Sequence, residues 1–261
     1  MRPATPDDLP FVAALDAHAQ ERSLVACLRD DAIWRYELDG RGEQNVFRLA
    51  LRIVATAAGE PIGFLAHRPR LAGPTVLARQ YELAPGHSWL AATPTVLRHL
   101  LAASEQPAAV EAVGFALGAA HPAYDALPQR LPQRLPSGTY YVRVADLAAF
   151  VRHIAPALEA RLADSVAMGH TGELRLNLYR HGLRLRFVDG RLAEVAATAG
   201  DHHETTDAAF PDRTFLHLLF GHRSLAALGD AFADCLVASE EARVLLGILF
   251  PQPPSHVWSV G

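Results

Sequence analysis

No lysine occurs anywhere in the chain: all 24 basic residues are arginine. That absence removes a Walker-type phosphate loop, a Schiff-base lysine and a Ser-Lys dyad, each of which needs an amine on a flexible stem. Cysteine is almost as scarce. Cys27 and Cys235 stand far apart, so no disulfide framework or thiolate metal cluster is in view, and both read as small core residues. No apolar run approaches the ~20 residues that span a bilayer, and no basic start followed by an apolar stretch marks a secretion signal. A cytoplasmic protein with no membrane span is expected. The net charge of -4 and scattered arginines leave no basic stripe for nucleic acid. Catalytic signatures are missing as well. Gly-x-Ser-x-Gly is approached only at Gly86 to Leu90, which lacks the second glycine, no Gly-x-Gly-x-x-Gly follows a strand, and Asp207 stands where His-Glu-x-x-His needs its second histidine.

What is present is apolar surface: half of 261 residues, enough for two domains with a core each. Thr5, Pro6 and Asp8 form a helix start, and Leu9, Val12, Ala13 and Leu15 give that helix an apolar face. A second helical stretch runs from about Asp30 to Leu38. The period then changes to two. Arg48 to Thr56 and Ile62 to Ala66 make a hairpin about Gly59-Glu60-Pro61, and a third strand passes through Val76, Ala78, Gln80 and Glu82. Thr93 and Pro94 are expected to open a helix with Val96, Leu97, Leu100 and Leu101 inward, followed by a strand over Val110 to Leu117. Between about Leu127 and Gly138, prolines and the repeat Pro-Gln-Arg-Leu interrupt all periodicity and read as a stiff linker.

Beyond the linker, a strand is expected over Tyr140 to Val144 and a helix over Leu147 to Leu162, kinked at Pro156. Gly172 to Tyr179 and Leu183 to Val188 alternate, and Asp189-Gly190 is a hairpin dipeptide leading to Leu192 to Val195. Three short helices close the chain: one capped by Asp212 and stopped at Gly221, one capped by Ser224, and one capped by Ser239. The last carries Val244, Leu245, Ile248 and Leu249 as its expected buried stripe.

Two runs in this part, Phe210-Pro-Asp-x-Thr-Phe-Leu-x-Leu-Leu-Phe-Gly-x-Arg-Ser-Leu and Leu245-Leu-x-x-Leu-Phe-Pro, resemble the C-terminal sterol-carrier-protein-like domain of acetyltransferases of the Eis (enhanced intracellular survival) type. Those proteins join a catalytic GCN5-related N-acetyltransferase (GNAT) domain, a degenerate second one and the terminal domain. The opening Arg2 to Leu9 and the order helix, helix, three strands, helix, strand resemble a GNAT domain too. The family there places Gln/Arg-x-x-Gly-x-Gly/Ala, whose backbone holds the acetyl-CoA pyrophosphate; this chain has Pro85 to Ala92, with one glycine and Trp89. The fold class expected is therefore α+β: a degenerate GNAT-like mixed sheet with flanking helices over 1–127, a linker over 128–138, and a sterol-carrier-like antiparallel sheet covered by helices over 139–261.

The resemblance implies a portion of an N-acetyltransferase that moves acetyl from acetyl-CoA to an amine. The catalytic GNAT domain or subunit would be its partner, and this chain alone would bind the cofactor poorly. Homo-oligomers are a further implied arrangement. The family gives the terminal carboxylate, here on Gly261, the part of general base, and Tyr124, after the last strand of the first domain, either protonates a departing thiolate or packs on the sheet. The alternative is a non-enzymatic module binding an apolar small molecule. Phe215, Leu219, Phe250, Val257 and Trp258 would line its tunnel, or else fill an ordinary core. His202, His203 and Glu204 read as a solvated loop rather than a metal site, and His217 and His222 as helix-end partners.

Overall fold

The computed structural model describes residues 1–70, 73–103, 109–127, 140–199, 206–211 and 213–257. They gather into two compact units, Met1–Gly138 with Pro254–Gly261, and Thr139–Pro253. The expected linker lies outside the described residues. So does the cap expected of Asp212.

In the first unit the strands β1 (Arg2–Pro3), β2 (Ala50–Ala55), β3 (Pro61–His67), β4 (Thr75–Leu83) and β5 (Ala112–Phe115) lie side by side in chain order. The first four are antiparallel, and β5 joins β4 in parallel. Helices α1 (Leu9–Gln20) and α2 (Asp31–Arg35) cover one face. There Leu9, Val12, Leu15 and Trp34 meet Leu51, Ile53, Phe64 and Ala66. Helix α3 (Trp89–Ala102) covers the other, with Val96 and Leu100 against Val54, Leu65, Val76 and Tyr81. Strand alternation alone produces these two cores, since neighbouring residues point to opposite faces.

The alternation is offset at the end of β2, where Val54 pairs with Gly63 but Ala55 with Pro61, and again in β4. Ala66 pairs with Gln80 but His67 pairs with Ala78, so Arg79 is an extra residue, a β-bulge. Val76 and Ala78 therefore belong to the α3 face together with Tyr81 and Leu83, while Gln80, opposite Ala66, and Glu82, opposite Phe64, turn to the α1 face. The single face expected from period two is corrected here, because a bulge shifts the phase by one residue. A second correction concerns α3, which begins four residues before Thr93, at Trp89. Ser88 caps it by accepting the Ala91 N–H at 3.2 Å, and Pro94 sits inside the helix. Leu101, expected inward, is exposed.

The second unit holds the sheet β10-β9-β6-β7-β8, formed by β6 (Gly172–Asn177), β7 (His181–Val188), β8 (Arg191–Ala199), β9 (Ala208–Ala209) and β10 (Leu236–Val237). Asp189 and Gly190 have φ of 50° and 77°, as a two-residue hairpin turn requires. Leu174, Leu176, Leu183, Leu185 and Phe187 point into one core, while the alternate Glu173, Arg175, Arg184 and Glu194 form ion pairs on the outer face. The sheet is not wholly antiparallel, because β9 runs parallel to β6. Tyr140 to Val144 forms no strand. The expected kinked helix is two helices, α4 (Leu147–His153) and α5 (Ala155–Ala163), since Pro156 cannot donate back to the preceding turn.

Helices α6 (Thr214–Leu219), α7 (Leu225–Ala231) and α8 (Glu240–Leu249) complete the unit. Ser224 and Ser239 accept the Ala227 and Ala242 N–H groups at 3.0 and 3.1 Å, and Gly221 ends α6 at a φ of 63°. On α8 the buried stripe is Ala242, Leu245, Leu246 and Leu249, one position round from the expected one, and Val244 is 46% exposed. The chain after Pro253 belongs to the first unit rather than to the domain expected over 139–261. There Leu24 N–H donates to Pro254 O at 2.9 Å and His256 N–H to Val25 O at 3.0 Å. Leu246→Ala should lower stability by about 2–5 kcal/mol and Val244→Ala should change it by no more than about 0.5 kcal/mol, read from chemical-denaturation midpoints. Equal losses would contradict this placement of the stripe.

Candidate functional site

Residues singled out from sequence are scattered. Phe215, Leu219 and Phe250 are buried in the core of the second unit, with the Phe215 and Phe250 rings edge to face at 5.3 Å. Val257 belongs to the first unit, and Trp258 and Gly261 lie outside the described residues, as do His202, His203 and Glu204. The five residues expected around a tunnel are therefore not seen together. The Tyr124 hydroxyl accepts the Leu117 N–H at 3.2 Å and donates to Phe115 O at 3.3 Å, which fastens the end of β5. His217 and His222 meet Nδ1 to Nδ1 at 2.8 Å, and burial, then His222, holds the His217 pKa down. Among the described residues no group of three or more His, Cys, Asp or Glu could hold a metal.

The bulge at Arg79 positions the site that sequence reasoning missed. Strands β4 and β5 pair only as far as Ala78 and Phe115, with one further bond from Ala116 N–H to Ala78 O at 2.9 Å. Past that point β5 ends while β4 runs on to Leu83, which leaves a wedge along a β4 edge with no ladder partner on that side. Side chains of the unit itself fill it. His121 Nδ1 accepts the Ala123 N–H at 3.1 Å, so its proton sits on Nε2, which donates to Tyr81 O at 2.7 Å. Trp89, at the first position of α3, packs edge to face against Tyr81 and His121 at 5.0 and 4.9 Å. Burial pushes the Tyr81 hydroxyl up to about 12.

The stretch after β4 is equally committed. Residues from Trp89 onward are already helix; Ser88 Oγ accepts the Ala91 N–H at 3.2 Å and Ser88 O the Ala92 N–H at 3.0 Å. The Ala91 donor is used by the cap and the Ala92 donor by the first intrahelical bond.

Beside the wedge, on the α1 face, lies a polar cavity of about 40 Å³. That is room for about three waters at ~10–15 Å³ each. Asp16 comes from α1, Arg22, Cys27 and Arg29 from the loop after it, Arg79, Gln80 and Glu82 from β4, His121 from the segment after β5, and His256 from the C-terminal segment. Gln80 Nε2 donates to Asp16 Oδ1 at 2.7 Å and Gln20 Nε2 to Oδ2 at 2.9 Å, with Arg29 Nη1 at 3.4 Å. Burial nonetheless raises the Asp16 pKa; the Arg29 charge and the amide bonds oppose it only in part. Arg22 reaches Glu82 at 2.5 Å, and His121 Nε2 stands 3.4 Å from the same oxygen. Gln80 Oε1 and His256 Nε2 are buried with no hydrogen-bond partner among the described residues. Turning the Gln80 amide over would set its oxygen against the Asp16 carboxylate, so the orphan acceptor is fixed by its neighbour. The cluster was invisible in the sequence because its members span Asp16 to His256 with no spacing rule. The polar residues Arg79, Gln80 and Glu82, close together in the second half of β4, were its one signal.

A mixed sheet whose last two strands run parallel, with α1 and α2 on one face and α3 on the other, is a GNAT-like fold. No protein-family profile and no curated protein matches the chain. Solved structures do: a GCN5-related N-acetyltransferase from Anabaena variabilis ATCC 29413, at a TM-score of 0.56 and 15% identity over 97% of this chain, and a conserved protein of unknown function from Enterococcus faecalis V583, described as a probable N-acyltransferase, at 0.60 and 13% over 99%. This chain spans 60% and 61% of their lengths. At such identities the likeness speaks for fold.

Gln80→Glu sets a second carboxyl against Asp16, so the pair should share a proton and titrate above the ordinary carboxylate range. The variant's penalty, on the order of 2 kcal/mol at pH 7, should grow as pH rises through that raised value and shrink as pH falls to 5. Thermal midpoints of variant and parent at both pH values read it, and a deficit indifferent to pH would show that Gln80 does not face an ionisable Asp16.

Proposed function

We propose that this chain supplies the non-catalytic GNAT-like and sterol-carrier-like portion of an Eis-type N-acetyltransferase acting from acetyl-CoA on an amine, with the catalytic GNAT module a separate segment or subunit. The observation that carries the reading is the occupied wedge. Where a GNAT-like sheet opens between its parallel strands, His121 has taken the β4 carbonyl and Trp89 the space. Of the N–H groups at the start of α3, those of Ala91 and Ala92 are bonded to Ser88. A cavity of about 40 Å³ holds no acetyl-pantetheine arm. The fold supports the family reading, and the closed wedge supports a structural rather than a catalytic part for this unit.

Isothermal titration of acetyl-CoA into the purified chain tests it. No heat corresponding to a Kd tighter than about 100 μM is expected, a binding free energy weaker than about 5.5 kcal/mol. One-to-one binding in the low micromolar range, or unaided acetylation of an amine, would overturn the proposal.

A further inference from the structure

The C-terminal segment is held to the first unit by a small and specific set of contacts. Pro253 and Pro254 keep it extended, and it lies along the loop after α1. Leu24 N–H donates to Pro254 O at 2.9 Å and His256 N–H to Val25 O at 3.0 Å, with Ala26 and His256 in a parallel bridge. This is strand addition in miniature, in which backbone bonds hold the segment and one side chain supplies the anchor. The anchor is the His256 ring. It lies on Gly118, whose φ of 89° suits glycine and where a built Cβ would stand 3.0 Å from the ring. It also walls the polar cavity together with Asp16, Cys27 and Gln80.

We propose that Pro254–Val257 is a displaceable strap over the polar cavity, latched by the neutral His256 ring and released when that ring takes up a proton. Two backbone bonds and one ring are a slight tether beside a helix or a sheet, so the segment can open locally while the unit stays folded. The groups around the ring make it responsive. Arg22 and Arg29 from the loop, Arg79 and Glu82 from β4, Asp16 from α1 and His121 from the segment after β5 surround the same cavity, along with the Cys27 thiol. Arginine outnumbers carboxylate there by three to two. Among the described residues, Nε2 has no acceptor waiting for a second proton. Burial first, then Arg29 and His121, accordingly holds His256 down at about 4, with Glu82 opposing.

The sign follows directly. A ring that titrates at about 4 when latched and at ~6.5 when free is neutral in both states at pH 7, so the strap stays shut. As pH falls below ~6.5, the free form gains a proton that the latched form refuses, and opening becomes more favourable, by about tenfold or more between pH 7 and pH 5.

Cys27 reports the opening, because it lines the cavity that the strap covers. In a Cys235→Ser background of the full chain, its reaction rate with 4,4′-dithiodipyridine, a thiol reagent that works in mild acid, is measured from pH 7 to pH 5. Each rate is divided by that of a small model thiol at the same pH. The normalised rate should rise about tenfold in the parent, stay flat in His256→Asn, and already be raised at pH 7 in His256→Ala. Circular dichroism checks that the variants remain folded. A rate with no pH rise in the parent, or a rise that persists in His256→Asn, overturns the strap. Should His256→Ala unfold, the parent and His256→Asn still decide. None of these readings depends on acetyl-CoA, so the strap and the proposed function stand or fall separately.

Discussion

One extra residue in one strand sets most of what the first unit can do. The bulge at Arg79 ends the pairing of β4 with β5 and reverses which face each following side chain meets. Had β4 stayed regular, Gln80 and Glu82 would have pointed into the apolar core under α3, where an unpartnered carboxylate costs several kcal/mol. With the bulge, Tyr81 and Leu83 fill that core, and the two polar residues reach Asp16, Arg22 and His121 on the other side. The wedge and the polar cavity thus have a single cause.

The wedge shows how such an opening can be closed from within. A strand that runs on past its parallel neighbour leaves backbone acceptors with no ladder partner, and something must satisfy them. Here a histidine held in one tautomer by the Ala123 N–H does so, and an indole at the start of α3 excludes water around it. The same two side chains satisfy the Tyr81 carbonyl and pack the space beside it. The neighbouring cavity stays polar because Asp16 is held by two amides and the more distant Arg29, and its fixed geometry leaves Gln80 Oε1 without a partner among the described residues.

The second unit follows a simpler rule. Alternation in β6 and β7 sends leucine and phenylalanine inward and ion pairs outward, the glycine turn at Asp189 and Gly190 fixes the register, and the helices lie over the apolar face. Its aromatic residues, Phe210, Phe215 and Phe250, pack ring against ring, with centroids 5.5 and 5.3 Å apart. Close packing of that kind is what a core of large apolar side chains reaches by default.

Sequence by itself determined the local terms. The order of the elements from α1 to β5, the hairpins, the serine caps at Ser224 and Ser239, the glycine stop at Gly221 and the alternating faces of β6 and β7 are each set by residues a few positions apart, through backbone sterics and period. It also pointed to Pro85–Ala92 as a stretch ill suited to hold two phosphates, although the reason given was the missing glycine and the structure adds an early helix start capped by Ser88. Tertiary structure decided what depends on partners distant in the chain. The phase change in β4 exists only relative to β3. The boundary at Pro254 exists because Leu24 and Val25 offer an edge, and the cluster of Asp16, Gln80, Glu82, His121 and His256 exists only once α1, β4 and the C-terminal segment meet. A period in the sequence reports which side of an element is apolar, but which other side chain stands opposite is fixed by non-local packing, and chemistry is made from those pairs.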